Sequence, residues 1–322
     1  MITIECLTEP DLNWNKRLLE STTGTIYQTK EIAKYFEKTS KYKNSYLQFL
    51  DQSGAIVGQI LLSKHNISQN KSVKGILKKF LLESNSLYRW VYGPVVFDES
   101  KTIEINEQLF SYLKTKKTKI LGSEHPLLSG SFSNSNTLYK IKNWSTFLID
   151  LSLSKEELWK NCEKHSAQKN VERSLKRNVI VKEITKNDLK YHHSILADTK
   201  AKVGHKSLLS NIEIQWDLLH PLGFTGFLAW KDNLPVGGIL VSFFNNYVNE
   251  WGVARSDLDR DENLYSQDLL KWKIIEWGNK NKFRYFDLTG TNPTPQNSKE
   301  EGIFRYKKKW GGKMIKYDLI YA

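Results

Sequence analysis

Two distant stretches of the chain show the same pattern of apolar and polar positions. Residues 49–63 read FLDQSGAIVGQILLS, and residues 227–242 read FLAWKDNLPVGGILVS. Each stretch has an apolar run, a polar turn and a second apolar run that contains a glycine, Gly58 or Gly237. Apolar runs joined by turn-forming residues are typical of β-hairpins. The pattern therefore predicts two similar antiparallel hairpins, one in each half of the chain.

The elements predicted after each hairpin are also alike. In the first half, a strand pattern at 88–97 precedes a helical pattern at 103–115. In the second half, a strand pattern at 247–254 precedes a helical pattern at 266–279. A repeat of this length is not a solenoid period, so it indicates duplication of a whole α/β domain. Chance similarity is the alternative, because short strand patterns recur in many proteins.

The sequence also indicates where the two copies join. The Ser- and Asn-rich residues 129–136 are typical of a loop, and a strand pattern follows at 145–151. Ser154, with Glu157 three positions later, predicts a capping box at the start of the next helix. We therefore predict an α/β (α+β) fold with a first domain at 1–144 and a second domain at 145–322, each a mixed sheet flanked by helices.

Composition and charge narrow the class of protein. The chain has 322 residues, which suits two domains, and 48 Lys and Arg against 35 Asp and Glu leave a net charge of +13. This charge favours a polyanionic or phosphate-bearing partner, although a Lys-rich solvated surface is the alternative. Two cysteines, no apolar run long enough to span a membrane and no visible signal peptide predict a cytoplasmic protein.

Much of the positive charge lies in two segments. Residues 302–322 carry six Lys or Arg and one acid, with aromatic residues between them. Such a segment can hold a nucleotide by stacking and phosphate pairing, whereas a basic edge strand in water is the alternative. The helical pattern at 166–177 carries three candidate phosphate ligands, Lys169, Arg173 and Lys176. The alternative is that Arg173 and Lys176 form ion pairs with Glu163 and Glu172.

Several common catalytic motifs are absent from the sequence. It has no H-E-x-x-H, G-x-S-x-G or G-x-G-x-x-G motif, and Gly311-Gly312-Lys313 is followed by Met314 rather than Ser or Thr. We expect no metal site, since the alternating acids at 257–261 lack the glycine and glutamate of a calcium loop. These absences favour acyl transfer to an amine, which needs mainly positioning of two substrates and stabilisation of an oxyanion.

Four stretches resemble the FemABX family, the aminoacyl-tRNA-dependent peptidyltransferases that build the interpeptide bridges of peptidoglycan. They are GTIYQTKEIAKY at 24–35, YGPVV at 92–96, TFLIDLSLSKEELW with KNVERSLKRNVIV within 146–181, and RYFDLTG with GIFRYKKKW within 284–310. The last stretch is the most specific, because it is similar to the family's "YDFGG…G-L-Y-x-F-K-x-x-F-G" ending.

The resemblance implies two tandem GNAT-like (acyl-CoA N-acyltransferase-type) domains and an aminoacyltransferase. Its partners would be aminoacyl-tRNA, as a co-substrate in place of a bound cofactor, and a cell-wall precursor peptide that is linked to a nucleotide or a lipid. A lipid-linked precursor would bring the protein close to the membrane surface. One alternative is an acyl-CoA-dependent N-acyltransferase. Residues 255–267 argue against it, because they lack the glycines of a CoA loop. A non-catalytic protein that binds tRNA or phosphate is the other alternative.

The same resemblance implies roles for individual residues. Lys307 matches the lysine at the family's reacting centre, where a cation stabilises developing negative charge, and Tyr306 matches the aromatic residue beside it. Lys308 and Lys309 depart from the family pattern. They are further phosphate-binding candidates, and either of them could take the place of Lys307.

Three other candidate substrate-binding residues follow from weaker matches. Trp251 takes the place of an aromatic residue near the acceptor, or belongs to the core. Asp287 matches the acid of "YDFGG", where it orients a site group or accepts from backbone amides, and Thr289 replaces the first glycine of that motif. Lys206 lies where the family places a cation for the acceptor's diphosphate, or is a loop lysine.

Overall fold

The structure, a computed structural model, describes residues 2–66, 86–116, 118–201 and 208–322. The chain forms two compact units, Met1–Ser145 together with Ile315–Ala322, and Thr146–Met314. The sequence predicts a domain boundary between residues 144 and 145, with the whole C-terminal segment in the second domain. In the structure, residues 315–322 belong to the first unit, because the strand that they form pairs with a strand of that unit.

The described elements in the first half of the chain are strands and helices, with more strands than helices. In chain order they are β1 (Thr3–Leu7), α1 (Trp14–Glu20), α2 (Lys30–Ser40), β2 (Lys43–Leu50), β3 (Ile56–Asn66), β4 (Ser86–Arg89), β5 (Val95–Val96), α3 (Thr102–Thr115) and β6 (Lys119–Ser123). The chain passes from the first unit to the second within β7 (Lys140–Asp150).

The second half contains more helix. Its elements are α4 (Lys155–Asn161), α5 (Lys169–Lys176), β8 (Ile180–Glu183), α6 (Leu189–Ala201), α7 (Leu209–Gly223), β9 (Phe224–Lys231), β10 (Leu234–Phe244), β11 (Tyr247–Arg255), α8 (Asp257–Asp261), α9 (Ser266–Lys280), β12 (Tyr285–Asp287), α10 (Ser298–Lys308) and β13 (Lys313–Tyr321). In the ranges that the structure describes, no helix has the length and apolar character needed to cross a membrane.

Each unit is built on a mixed sheet. The strand order is β1-β2-β3-β4-β6-β13 in the first unit, with β5 beside β3, and β7-β12-β11-β10-β9-β8 in the second. The pair β4–β6 and the pair β11–β12 are parallel, whereas the other pairs with a described register are antiparallel. The same arrangement of one parallel pair after an antiparallel hairpin thus occurs in both units.

The predicted hairpins are confirmed as β2–β3 and β9–β10, and they share a local irregularity. In both, the residue directly before the repeated glycine is a bulge without a cross-strand partner: Val57 in β3 and Val236 in β10. The Val57 carbonyl accepts a hydrogen bond from Phe97 N at 2.8 Å, and the Val236 carbonyl accepts one from Ser256 N at 3.1 Å. A shared bulge with the same use of its carbonyl supports duplication over chance similarity.

Helices cover both faces of the second sheet. A Cβ atom on Gly237 would lie 2.5 Å from the Ser266 hydroxyl of α9, and one on Gly238 would lie 2.7 Å from the His192 ring of α6. Because neighbouring residues of a strand point to opposite faces, α9 and α6 pack on opposite faces of β10. The α9 side holds much of the apolar core, including Leu269, Leu270, Ile274, Ile275 and Phe286.

The capping box predicted at Ser154 is confirmed. The Ser154 hydroxyl accepts from Glu157 N at 3.2 Å, and the Glu157 carboxylate accepts from Ser154 N at 2.9 Å, so α4 begins where its sequence predicts. The helical pattern at 166–177 corresponds to a π-helical turn, Lys164–Gln168, that continues into α5.

The alternative of a basic edge strand for residues 302–322 is wrong for the first part of this segment. Residues 298–308 form α10, which begins at the Asn297 cap, whose side chain accepts from Glu300 N at 3.0 Å. Phe304 and Tyr306 are two positions apart, which imitates the period of a strand, but the cap and the acids of the first turn favour a helix. A strand forms only after Gly311, as β13.

We predict that Gly311→Ala lowers the free energy of unfolding, while Gly302→Ala does not. Gly311 has a φ of +76°, and a Cβ atom there would lie 2.5 Å from the backbone carbonyl oxygen of Asn161. The expected loss exceeds about 1 kcal/mol. Gly302 lies inside α10 with open space around it, so alanine should stabilise the protein by about 0.5–1 kcal/mol. Denaturant unfolding of both variants measures the difference, and equal midpoints would contradict it.

Candidate active site

The candidate site lies where two parallel strands of the second unit separate. Pairing of β11 with β12 ends at Asn249 and Asp287, while β11 continues to Arg255. The residues that follow Asp287 therefore leave the sheet directly beside a continuing strand. An opening between parallel strands at their C-terminal ends is a common place for ligands in α/β sheets.

Asp287 organises the backbone at this opening. Its fully buried carboxylate accepts hydrogen bonds from the Tyr247 hydroxyl at 2.9 Å, the Asn249 amide at 3.2 Å and the Thr146 hydroxyl. It also accepts from Thr289 N at 2.7 Å. Of the two roles expected for Asp287, acceptance from backbone amides is thus seen at Thr289, and its other donors are side chains of the neighbouring strands.

Thr289 adopts a backbone conformation that a β-branched residue rarely takes. Its φ is +61°, in the left-handed region that glycine occupies readily. The Thr289 amide is held by Asp287, and its carbonyl accepts from the Thr146 hydroxyl at 2.9 Å. The threonine in place of the family's glycine therefore keeps a glycine-like backbone, at a cost in strain that these contacts offset.

Lys307 reaches this loop from α10. Its Nζ donates to the Thr289 carbonyl at 3.1 Å and to the Gly290 carbonyl at 2.9 Å. Burial lowers the pKa of Lys307 to about 8, although the nearby Asp287 charge opposes the shift. An ammonium has three N–H donors, and among the described residues two of them are used. The third is available to a ligand in the opening.

The other two lysines of this run lie in different environments. Lys309 is almost fully buried, forms an ion pair with Asp268, and lies 4.5 Å from the centre of the Tyr306 ring. Lys308 is exposed. Of the three, Lys307 is the one that the structure brings to Asp287 and Thr289. Lys309 differs from the open phosphate ligand that we expected, because its charge is already paired.

Tyr306 joins α10 to the start of α9. Its hydroxyl donates to the Gln267 carbonyl at 3.2 Å, and burial raises its pKa far above the usual value, so the phenol stays neutral. Trp251 is the bulged residue of β11, and its ring lies edge-on to Phe224 at 5.8 Å. Lys206 lies outside the described residues.

The basic helix α5 presents a mixed surface of cations and one aromatic ring. Lys169 and Lys176 are exposed, and the guanidinium of Arg173 lies 5.5 Å from the Tyr265 ring centre. Arg177 lies 5.4 Å from the same ring. Among the described residues, Arg173 makes no ion pair with Glu163 or Glu172, so the alternative of local neutralisation is not realised. Arg177 and Tyr265 extend the candidate phosphate surface beyond the predicted residues.

Sequence reasoning missed a buried ion pair beneath the opening. Lys271 of α9 contacts the Glu250 carboxylate of β11, and its Nζ lies 5.2 Å from the Phe286 ring centre. The available signal was a lysine inside the apolar run Leu269–Ile275, on a helix whose neighbouring residues are buried. Among the residues that the structure describes, no group of three or more His, Cys, Asp or Glu could hold a metal ion.

Solved structures show what this fold is similar to. No family model and no curated protein matches the sequence. FemX aligns with a TM-score of 0.74 and 16% identity over 98% of this chain and 96% of its own. L-PGS from Bacillus licheniformis aligns with a TM-score of 0.55 and 12% identity over 97% and 92%. A tandem GNAT protein from the clavulanic acid biosynthesis pathway aligns with a TM-score of 0.51 and 10% identity over 100% and 97%.

These similarities confirm the predicted fold. The chain has the tandem GNAT-like fold of FemX, as its four sequence stretches indicated, and this is an acyltransferase fold. Identities of 10–16% carry the comparison no further than the fold.

We predict that Lys307→Met does not lower stability at pH 7. The folded-state pKa of about 8 lies below the ordinary 10.5, so the charged lysine opposes folding below pH 8 by up to about 3 kcal/mol. Between pH 8 and 10.5 the unfolded chain binds more protons, so the wild type gains stability and the difference from the variant shrinks. Denaturant unfolding at pH 7 and pH 10 measures it.

The exposed neighbour provides the matched control. Lys308→Met should change the free energy of unfolding by less than about 0.5 kcal/mol at either pH. A loss of several kcal/mol in Lys307→Met would instead assign Lys307 a structural role.

Proposed function

We propose that this protein is an aminoacyltransferase that moves an amino acid from aminoacyl-tRNA to an amine of a peptidoglycan precursor peptide. The observation that carries the proposal is Lys307, whose ammonium is fixed on two backbone carbonyls at the opening between β11 and β12. Its third N–H donor would face the carbonyl oxygen of the aminoacyl ester. Fixed donors of this kind are the main requirement of acyl transfer.

The reaction needs few other groups. The acceptor's amine nitrogen attacks the ester carbonyl carbon, the new C–N bond forms and the C–O bond to the tRNA ribose breaks. The carbonyl oxygen carries negative charge in between, and the Lys307 ammonium stabilises it. The proton lost from the amine goes to the leaving ribose oxygen. Asp287 and Thr289 act by holding the carbonyls that orient Lys307.

The named neighbours support an amino acid as the transferred group. FemX has the highest TM-score of the three structures compared above, and the resemblance found in the sequence is to its family. Another structure with this fold is the C-terminal domain of an Agrobacterium fabrum protein described as a lysylphosphatidylglycerol synthetase (TM-score 0.56, 11% identity, 95% and 92% covered). Its name describes a lysyl group joined to a lipid.

The start of α9 disfavours the acyl-CoA alternative. A helix N-terminus binds a diphosphate through free backbone amides. Here the buried Asp259 carboxylate accepts from Ser266 N at 2.7 Å and pairs with Arg255. The Ser266 amide at this helix end is therefore already bound by a carboxylate and is not free to bind a CoA diphosphate.

The surface of α5 suits the tRNA donor. Arg173 and Arg177 flank one aromatic ring, and two exposed lysines continue the positive surface. Guanidinium groups pair with phosphates, and an aromatic face accepts a stacked base. These contacts would hold the 3′ end of a tRNA by its backbone without reading its sequence.

We predict that the purified protein discharges aminoacyl-tRNA in the presence of a precursor peptide with a free amine. Lys307→Met should lower turnover by about 10²–10³-fold, because one oxyanion donor is lost, while Lys308→Met should leave it nearly unchanged. Release of labelled amino acid from tRNA into peptide measures the transfer. Consumption of acetyl-CoA without any discharge of aminoacyl-tRNA would refute the proposal.

The pH dependence of this transfer should report the charge of Lys307. Its cationic form is needed and a guanidinium remains charged, so the ratio of the wild-type rate to the Lys307→Arg rate should fall as pH rises through about 8. The ratio cancels the ionisation of the acceptor amine, which must be neutral to attack in both proteins, and spontaneous ester hydrolysis is subtracted first. A ratio that rises through pH 8 would instead indicate that the neutral Lys307 amine acts as a base.

We predict that tRNA binding weakens steeply with salt and that the α5 surface contributes to the slope. The double variant Arg173→Gln/Arg177→Gln should bind tRNA more weakly. The slope of log K against log salt should become shallower by about 2, because two phosphate contacts are lost. Lys182→Gln, on β8, is the matched charge control. Filter binding between 50 and 200 mM salt measures both, and salt-independent binding would contradict a phosphate surface.

A further inference from the structure

The two side chains of the buried pair Lys271–Glu250 differ in their exposure to solvent. The Lys271 side chain is 1% exposed and the Glu250 side chain is 11% exposed. Glu250 is the first residue of β11 beyond the last pair with β12, so it lies at the opening that Lys307 enters from the other strand. Burial lowers the pKa of Lys271, and the positive charges of Lys307 and Lys309 lower it further. The pair therefore belongs to the same charged cluster as Lys307.

The other copy of the domain indicates that the fold itself does not need this lysine. A Cβ atom on Gly237 would lie 3.3 Å from the Leu270 side chain, and one on the equivalent Gly58 would lie 3.0 Å from the Ile105 side chain, so the two helix residues occupy equivalent positions. The next residue along each helix is Lys271 in the second unit and Asn106 in the first, and both side chains are 1% exposed. A neutral side chain thus fills the equivalent position of the first unit without an ion pair.

The pair is also costly to keep. Burial of an ammonium and a carboxylate loses the hydration of both, and apolar residues of similar volume are often equally or more stable. Packing therefore does not explain the pair. What it provides is a carboxylate held in one place, because Lys271 contacts Oε2 and leaves Oε1 without a hydrogen bond among the described residues.

We propose that Glu250, positioned by Lys271, binds a primary ammonium group of a substrate. A ligand in the opening can contact only the carboxylate of this pair, since Lys271 is enclosed, and a carboxylate accepts hydrogen bonds from cationic donors. This inference rests on the proposed function, which supplies two such groups: the α-ammonium of the aminoacyl donor, and the amine of the acceptor peptide, which would bind in its protonated form and pass one proton to water before its nitrogen attacks. Both would lie within a few ångströms of the ester bond that reacts.

The test compares matched probes that differ only in the charge of one amine. The donor probe is an adenosine whose 3′ position carries an amino acid through a stable amide, with its α-amine free or acetylated. The acceptor probe is a lysine-containing precursor peptide with its ε-amine free or acetylated. Calorimetric titration of each probe into the wild type, Glu250→Gln and Glu262→Gln gives four affinities per protein, with the exposed Glu262 as charge control.

We expect the wild type and Glu262→Gln to bind one free-amine probe at least about tenfold more tightly than its acetylated form, and Glu250→Gln to lose that preference. Loss with the donor probe assigns the subsite to the α-ammonium, and loss with the acceptor probe assigns it to the peptide amine. If Glu250→Gln keeps the preference of the wild type, or if the wild type binds the probes without any preference for a free amine, the ammonium subsite is refuted. If the wild type binds none of the four probes, the proposed function fails instead.

Two variants guard against a folding defect. Glu250→Gln keeps the shape of the side chain, and the double variant Glu250→Leu/Lys271→Met removes both charges together. The double variant should unfold at the same or a higher denaturant concentration than the wild type, because no unpaired charge is left behind. A double variant that fails to fold would show that the pair serves the fold, and the positioning role of Lys271 would be refuted.

Discussion

The site depends on one buried carboxylate that ends the pairing of two strands. Asp287 accepts hydrogen bonds from side chains of β7 and β11 and from the amide of Thr289. This set of contacts fixes the point at which β12 leaves the sheet and turns the following residues into a left-handed conformation. Two carbonyls then face α10, and the position of Lys307 follows from them. A substitution of Asp287 would therefore displace the Lys307 side chain without contacting it.

The lysines near the opening between β11 and β12 differ in whether a carboxylate or a neutral carbonyl holds them. Lys309 is neutralised by Asp268, and Lys271 by Glu250, whereas Lys307 is held by neutral carbonyls. A cation bound only by dipoles keeps its field available to an incoming charge, while an ion pair largely cancels its own. The environment of Lys307 therefore differs from that of its neighbour Lys309, although the two residues are only two positions apart.

Local features of the fold could be predicted from the sequence, and features that depend on distant contacts could not. The hairpins, the Ser154 cap and the start of α9 follow from short patterns of apolar and turn residues. Which of Lys307, Lys308 and Lys309 faces the site could not be predicted. Successive residues of a helix point about 100° apart, and the sequence does not show which direction faces the loop after Asp287. Lys271 was missed because its partner, Glu250, lies on a strand that is distant from this helix in the sequence pattern. The family resemblance supplied Lys307, while Arg177 and Tyr265 became visible only when α5 and α9 were brought together.

The first unit is completed by residues that are made after the whole second unit. β13 pairs with β6 through Leu319, Ile320 and Tyr321, and residues 315–322 belong to the first unit. During synthesis, residues 1–145 leave the ribosome with the β6 edge unpaired and remain so until about 170 further residues have followed. The two duplicated domains are thus no longer independent modules. A fragment that ends before residue 315 would therefore leave the β6 edge of the first unit unpaired.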